Sequence, residues 1–152
     1  VRQIQLAKAS LYAGCRLLLD EYGLERVDRI RLAGAFGAQI DPVHALVLGL
    51  VPDCDPARVT SAGNAAGTGA RIALLDARAR AEIEEVARRV EKIETAIEPR
   101  FQEHFVNAMA FPNKSEAFPN LAASVPLPER SASGVRPDGE RRRRGRTRRA
   151  AG

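Results

Sequence analysis

Two short segments of small residues are the parts of this sequence best suited to ligand chemistry. The first, Ile30–Gly37, reads IRLAGAFG, an apolar run that ends in alanines and glycines. Small residues let the backbone approach a flat ligand closely, and free backbone N–H groups can bind a polar group. Many turns between a strand and a helix contain glycine for geometry alone, so this segment on its own favours a ligand site only weakly.

The second segment, Gly63–Ala70, reads GNAAGTGA. It is not a phosphate-binding P-loop, because no Lys follows its glycines, and it is not a dinucleotide fingerprint, because Ile72 stands where the last glycine is required. Two glycines inside a helix cost about 1 kcal/mol each relative to alanine. Close packing against a ligand or against a neighbouring element would offset that cost, and both explanations stay open here.

The histidines and cysteines do not form a recognisable catalytic or metal-binding set. We interpret His44 as a core or helix-end histidine, and His104 has no second ligand at metal spacing. Cys15 lies on the apolar face of the first predicted helix, where it acts as a small hydrophobe. Cys54 lies between two aspartates and is expected to be exposed, with acidic neighbours that raise its thiol pKa and make it less reactive.

A run of arginines near the end of the chain is the strongest electrostatic feature. Arg141–Arg149 contains seven arginines in nine residues. Such a run can contact phosphates and bind nucleic acid non-specifically, with a dissociation constant of about 10⁻⁴ to 10⁻⁶ M. No aromatic residue is interleaved to stack on bases, so sequence reading is not predicted. A solvated tail is the alternative that we favour.

The charge separates this run from the rest of the chain. Residues 1–125 contain 15 Lys and Arg against 16 Asp and Glu, whereas residues 126–152 contain nine Arg and three acids. The net charge of +5 therefore comes from the tail, and the remainder is nearly neutral. With 45% hydrophobic and 28% charged residues, the composition is that of a globular protein.

The same composition excludes several classes of protein. Two distant cysteines exclude a disulfide framework. The longest apolar run, Val43–Val51, is nine residues, which is far short of the ~20 that a membrane helix needs. No signal peptide is visible, so a cytoplasmic location without a membrane partner is expected. Because the chain starts at Val1 and its only Met is Met109, we expect it to be the C-terminal part of a longer protein.

The elements that would position the two small-residue segments follow from hydrophobic spacing. Apolar residues every three or four positions predict a helix over 2–22 that ends at Gly23 and buries one face, made of Ile4, Ala7, Leu11, Cys15, Leu18 and Tyr22. Residues 27–32 alternate and predict a short strand that runs into the first turn. Asp41-Pro42 predicts a helix start, followed by an apolar helix over 43–50. A second strand over 58–62, a turn and a helix over 65–75 complete a predicted lobe, residues 1–75.

A helical extension is predicted for residues 76–125. Asp76 is the expected N-cap of a helix over 77–96, whose apolar residues form a narrow seam that we expect to pack within the chain. The seam comprises Ile83, Val86, Val90, Ile93 and Ile97. A short helix over 101–110 follows, and the Phe-Pro pairs at 111–112 and 118–119 are expected to pin the chain back onto the lobe. Residues 126–152 are rich in Pro, Ser, Gly and Arg and are predicted to be disordered.

The order of these elements is more specific than either small-residue segment. It resembles the last subdomain of the acetate and sugar kinase, heat-shock chaperone and actin superfamily. A closer resemblance covers most of residues 1–121: the sequences at 1–9, 32–37, 63–70 and 99–105 are similar to those of the reductive activators of corrinoid proteins. Members of that family carry a [2Fe–2S] ferredoxin-like domain and a C-terminal ATPase domain, and they use ATP to drive electrons onto Co(II) corrinoid.

The resemblance implies an α/β fold, the C-terminal lobe of an actin-like ATPase, with added helices and the tail. It also implies that ATP, with Mg²⁺ in the complete protein, is bound here on its adenosine side, and that the [2Fe–2S] cluster lies in another part. The implied partner is a corrinoid protein of a methyltransferase system. A small-metabolite kinase of the same superfamily is an alternative, as is nucleic-acid binding through the tail. The residues implied to contact the nucleotide are Ala33, Gly34, Ala35, Phe36, Gly37, Gly63, Asn64 and Gly67.

Overall fold

Ten segments of regular structure lie within the residues that the computed structural model describes, 1–95 and 97–127. In chain order they are α1 (Arg2–Glu21), β1 (Ile30–Ala33), α2 (Gly34–Gln39), α3 (Pro42–Leu48), a 3-10 turn (Pro56–Arg58), β2 (Val59–Gly63), α4 (Ala65–Leu75), α5 (Ala77–Arg89), α6 (Pro99–Asn107) and α7 (Pro119–Ser124). The predicted α/β fold is confirmed. The tail predicted to be disordered lies outside the described residues from position 128 onward.

Three helices begin at polar side chains that cap them, two of which, Asp41 and Asp76, were predicted as caps from the sequence. Each side chain accepts a hydrogen bond from a backbone N–H of the first helical turn, which otherwise has no partner within the helix. The pairs are Asp41 with His44 N at 2.9 Å, Asn64 with Gly67 N at 2.9 Å, and Asp76 with Arg78 N at 2.8 Å. The predicted starts of α3, α4 and α5 are therefore confirmed.

The two strands pair in parallel. Ile30 lies opposite Val59 and Ala33 lies opposite Gly63, with an irregularity in the register between Leu32 and Ala33. Helices α2 and α3 make the connection between the strands, as parallel pairing requires. Strands of four and five residues are too small for an independent sheet, and we predict that they form part of a larger one.

Two helices differ from the sequence-based prediction. The turn at Gly34 continues directly into the short helix α2, which was not predicted. Helix α5 was predicted to reach residue 96 but ends at Arg89, after which Val90 is extended. Val90, Ile93 and Thr95 are β-branched and weaken a helix. Without packing on that segment, local preference alone does not sustain further turns.

The predicted apolar seam is mostly exposed: of its five residues only Ile93 is partly buried, and Val86, Val90 and Ile93 line an open cavity together with Leu18 and Tyr22. Ile83 is 45% exposed, Val86 52%, Val90 71% and Ile97 80%. The prediction that this seam packs against the rest of the chain is therefore wrong for this structure. Helices α4 and α5 contact each other where they join, with Arg80 donating a hydrogen bond to the carbonyl of Ala73 at 2.8 Å, and neither helix contains a buried residue.

Helix α1 buries a different face from the one that the apolar spacing predicted. Ile4 is 58% exposed, Leu11 52%, Leu18 50% and Tyr22 76%. The buried residues are instead Lys8, Ala9, Tyr12, Ala13, Leu17 and Leu19. Hydrogen-bonding groups on that second face explain the difference, because α6 and the chain after it dock there through polar contacts as well as apolar ones.

The chain after α6 forms a strap, defined here as residues 108–118, that crosses α1 and leads into α7. Phe118 is 6% exposed, and its ring centroid lies 6.1 Å from that of Tyr12. This contact confirms that the second Phe-Pro pair pins the chain back. Leu127, which the prediction placed in the tail, packs against the core. The buried core comprises Ala9, Tyr12, Leu46, Cys54, Val59, Ala108, Phe118 and Leu121.

Candidate nucleotide-binding site

The carboxyl ends of β1 and β2 lie side by side, which places the two small-residue segments together. Ala33 pairs with Gly63 at the end of the sheet. Gly34 follows with φ +92°, and Gly63 itself has φ +59°. Both values lie in the left-handed region that glycine adopts without strain and other residues rarely adopt. Ligands of open α/β sheets bind outside the carboxyl ends of the strands, so both segments lie where a ligand is expected.

The surface over these two glycines is open. A Cβ atom built on Gly34 or on Gly63 meets no other atom within 4 Å, and the same is true at Gly69 in α4. Ala33 and Ala35 beside them are small and exposed. A flat group can therefore lie directly on the backbone of both turns.

Two of the glycines serve the geometry of the turns instead. A Cβ atom on Gly37 would lie 2.9 Å from the carbonyl carbon of Leu32, so glycine allows α2 to pack closely on β1. A Cβ atom on Gly67 would lie 2.5 Å from the side-chain nitrogen of Asn64. Asn64 in turn caps α4. These three residues therefore keep the turns in shape and support the open surface.

Phe36 lies to one side of the two turns. Its side chain is exposed and lines a groove between α1, α2 and α3. The remaining predicted residues come together at the sheet end, whereas Phe36 connects that end to the groove. The eight predicted residues therefore have three different positions. The open surface is made of Ala33, Gly34, Ala35 and Gly63. Its support is made of Gly37, Asn64 and Gly67, and Phe36 lies to one side.

The chemistry of the open surface is neutral. None of the eight predicted residues carries a charge or a nucleophile. Within residues 1–95 and 97–127, no three His, Cys, Asp or Glu side chains come together as metal ligands. These eight residues suit a flat, uncharged group and offer neither the cationic nor the metal-binding side chains that bind phosphate.

Comparison with known proteins agrees with this arrangement. Residues 1–122 match the family described as the C-terminal domain of RACo, the ASKHA domain. The chain belongs to that family. The curated corrinoid activation enzyme RamQ of Eubacterium limosum is 42% identical over 108 residues, which cover 70% of this chain and 18% of RamQ. This relationship confirms the resemblance to reductive activators that the motifs indicated.

A solved structure of a reductive activator for corrinoid, iron–sulfur protein is also similar. It superposes with a TM-score of 0.65 at 36% identity and covers 73% of this chain. The RACo-type domain described here spans 18% of that protein, as it does of RamQ. In the described residues, no helix of this domain is long and apolar enough to cross a membrane.

The histidines and cysteines lie away from the open surface of the RACo-type domain. The His44 side chain is 79% exposed at the start of α3, and His104 Nε2 lies 2.7 Å from Asp20 Oδ2. Cys54 is only 2% exposed, so the prediction that it is exposed is wrong. Burial, and then the neighbouring aspartates, raise the pKa of the Cys54 thiol, and burial raises that of Cys15. Both thiols are therefore held in the unreactive protonated form.

Two residues that sequence analysis did not identify, Lys8 and Asp53, hold the strap and α7 rather than a ligand. Lys8 is fully buried and donates hydrogen bonds to the carbonyls of Ala110 and Pro112, the second at 2.7 Å. The Asp53 carboxylate accepts bonds from the backbone N–H groups of Asn120 and Leu121. In the sequence, the signal for a buried role of Lys8 is its position between two alanines, Ala7 and Ala9, in a helix with an apolar face.

Proposed function

We propose that this chain supplies the adenosine side of the nucleotide cleft in an ATP-dependent reductive activator of corrinoid proteins. The observation that carries the proposal is the open backbone surface at Gly34 and Gly63, where the ends of two parallel strands meet. Membership of the RACo C-terminal domain family supports it. RamQ is a corrinoid activation enzyme, and the similar solved structure is a reductive activator for corrinoid, iron–sulfur protein.

In this proposal the domain binds and orients the nucleotide and performs no bond chemistry itself. The backbone of Ala33–Ala35 and Gly63 holds the adenosine, and Gly37 keeps α2 against β1 so that the turn stays in place. Bound ATP supplies the free energy of its hydrolysis. The phosphates and Mg²⁺ lie against another lobe, because this surface is uncharged. ATP shifts the protein toward the lobe arrangement that binds it best.

The electron-transfer part of the proposal lies outside this chain. A [2Fe–2S] cluster needs thiolate ligands, and burial raises the thiol pKa of both Cys15 and Cys54. These two cysteines do not fit a cluster, so the cluster belongs to another domain of the activator. The partner is a corrinoid protein of a methyltransferase system, which receives the electron at Co(II). We expect the chain alone to bind ATP weakly, since each lost charged hydrogen bond to phosphate costs about 1.5–3 kcal/mol.

The test is ATP-driven reduction of Co(II) to Co(I) corrinoid by the full-length activator, followed by absorbance with the cluster chemically reduced beforehand. We expect reduction only with ATP, and at least tenfold slower reduction by the Gly63→Val variant. Gly23→Val is the matched control, because Gly23 also has a positive φ, +65°, with open space around it, but ends α1. ATP-independent reduction, or equal rates for the two variants, would refute the proposal.

The arginine run remains a separate prediction. Non-specific binding of nucleic acid through Arg141–Arg149 rests on the sequence alone, because these residues lie outside the described part of the chain. The proposed function does not require it.

A further inference from the structure

The end of β2 departs from regular pairing directly before the open turn at Gly63. Ser61 lies opposite Leu32 and Gly63 lies opposite Ala33, so Ala62 is an extra residue with no partner on β1. Two residues of one strand opposite one residue of the other form a β-bulge, which disrupts the ladder of hydrogen bonds locally. Bulges are common next to active sites, where they redirect a side chain or end the pairing.

The Ser61 side chain makes a hydrogen bond across this bulge. Its Oγ accepts from the backbone N–H of Gly63 at 3.1 Å. Serine hydroxyls bind a backbone N–H two residues further on in many turns, in place of a bond of the strand ladder. The bond spans Ala62, and Gly63 has φ +59° at its far end. The Ser61 hydroxyl therefore fixes the orientation of the peptide that leads into Gly63.

A second side chain has a similar role on the other side of the turn. Asn64 Oδ1 accepts from the backbone N–H of Gly67 at 2.9 Å, so its oxygen is engaged in capping α4. Asn64 is among the eight residues that the sequence resemblance implied, whereas Ser61 is not. The turn is thus held by one hydroxyl on the strand side and by one amide on the helix side.

The surroundings of Gly63 determine when the Ser61 hydroxyl matters. A Cβ atom built on Gly63 meets no atom within 4 Å, so water has access to this turn in the free protein and can bond its N–H if the hydroxyl is absent. A flat group that lies on the turn excludes that water. Because a buried N–H without a partner costs free energy, the hydroxyl should contribute more to the bound protein than to the free one.

We propose that Ser61 is a positioning residue for the nucleotide, whose hydroxyl holds the Gly63 peptide in the orientation on which the adenosine lies. This inference rests on the proposed function, because it takes the surface at Gly34 and Gly63 as the adenosine site. It adds a residue that acts through the backbone of Gly63 and whose effect should appear in ATP affinity rather than in stability.

The test is calorimetric titration of the full-length activator with ATP, on three variants. Ser61→Ala removes only the hydroxyl, and Ser61→Thr returns an acceptor to the same position. Thr60→Val is the matched control, because it removes a hydroxyl from the preceding exposed residue of β2. We expect Ser61→Ala to bind ATP at least fivefold more weakly than wild type, and Ser61→Thr and Thr60→Val to bind it within twofold. The melting temperature of Ser61→Ala should stay within about 2 °C of wild type.

Four results would overturn the proposal. The first is a loss of less than fivefold in Ser61→Ala. The second is an equal loss in Ser61→Thr, since the hydroxyl would then not be the cause, and the third is an equal loss in Thr60→Val. The fourth is a Ser61→Ala protein that unfolds or melts much lower, because the hydroxyl would then serve the stability of the fold.

A parallel titration of Gly34→Val separates this inference from the proposed function. Weak ATP binding by Gly34→Val together with normal binding by Ser61→Ala would refute the role of Ser61 and leave the adenosine site in place. Normal ATP binding by both folded variants would refute the adenosine site itself, and the role of Ser61 with it.

Discussion

The sheet end and the strap side of this domain differ in how tightly their residues are packed. At the sheet end, the turns around Gly34 and Gly63 are open, uncharged and made of small residues. The strap and α7, by contrast, are held by buried side chains, by a hydrogen bond that Lys8 donates and by hydrogen bonds that Asp53 accepts. Leu121 and Ala108 are fully buried there.

We infer from this difference that stability and the proposed ligand binding are located in different parts of the domain. Ligand-binding segments need exposed backbone and few packing constraints, so they contribute little to the core. The strap side supplies the core and keeps the strands in place. Substitutions on the strap side should therefore change the free energy of unfolding, and substitutions at the turns should change nucleotide affinity.

The largest effect on stability is expected from Leu121→Ala. Leu121 of α7 is 0% exposed in the core. Removing a buried leucine side chain leaves a cavity and costs about 3 kcal/mol. Urea denaturation of the chain measures this loss. Leu75→Ala, at a position 84% exposed at the end of α4, should change the free energy by less than about 0.5 kcal/mol. Similar losses at both positions would contradict the division.

A pH-dependent effect is expected from Lys8→Met. Burial lowers the pKa of Lys8 to about 8, whereas an unfolded lysine titrates near 10.4. Between these values the unfolded chain binds more protons than the folded one, so the Lys8 contribution to stability rises with pH. The difference in free energy of unfolding between wild type and Lys8→Met should therefore shift in favour of the wild type between pH 7.5 and 9.5.

The shift should be on the order of 1 kcal/mol, since each unit of pKa difference corresponds to about 1.4 kcal/mol. Urea denaturation of both proteins at the two pH values measures it. The raised pKa values of Tyr12 and the two cysteines act in both proteins and cancel in the difference. A difference that stays constant, or that moves toward the variant, would show that the buried amine does not titrate in this range.

Local signals in the sequence predicted the fold better than they predicted the packing. The caps predicted at Asp41 and Asp76 act within one helical turn, and their positions were correct. The buried face of α1 was predicted wrongly, because apolar spacing shows that a face will be covered but does not show by which element. Lys8 donates to carbonyls more than 100 residues away, and no local pattern encodes such a contact.

At the candidate site, too, the sequence predicted the local elements but not the contacts between them. The pairing of two glycine-containing segments followed from the order of the elements and from the resemblance to the corrinoid activators. The supporting contacts of Gly37 with Leu32 and of Gly67 with Asn64 depend on backbone geometry that the sequence does not specify. The early end of α5 likewise depends on missing packing, since helix preference alone does not decide it.

The smallest effect is expected from removing residues 128–152. Their composition offers no periodic apolar face, so the melting temperature should change by less than about 2 °C. The deletion begins at 128 because Leu127 packs against the core. Retention on heparin should disappear, since the remaining chain has 15 basic against 16 acidic residues. A large loss of stability would place part of the core within these residues.

The central claim is that the turns at Gly34 and Gly63 hold the adenosine of ATP, and calorimetric titration of the full-length activator with ATP tests it most directly. Gly34→Val adds a branched side chain at φ +92°, in the space where the adenosine would lie, whereas Gly23→Val adds the same side chain at φ +65° beyond the end of α1. With both variants shown to be folded by thermal denaturation, Gly34→Val should bind ATP at least tenfold more weakly than wild type, and Gly23→Val should bind it within twofold. Equal ATP affinity of wild type and a folded Gly34→Val protein would contradict the claim.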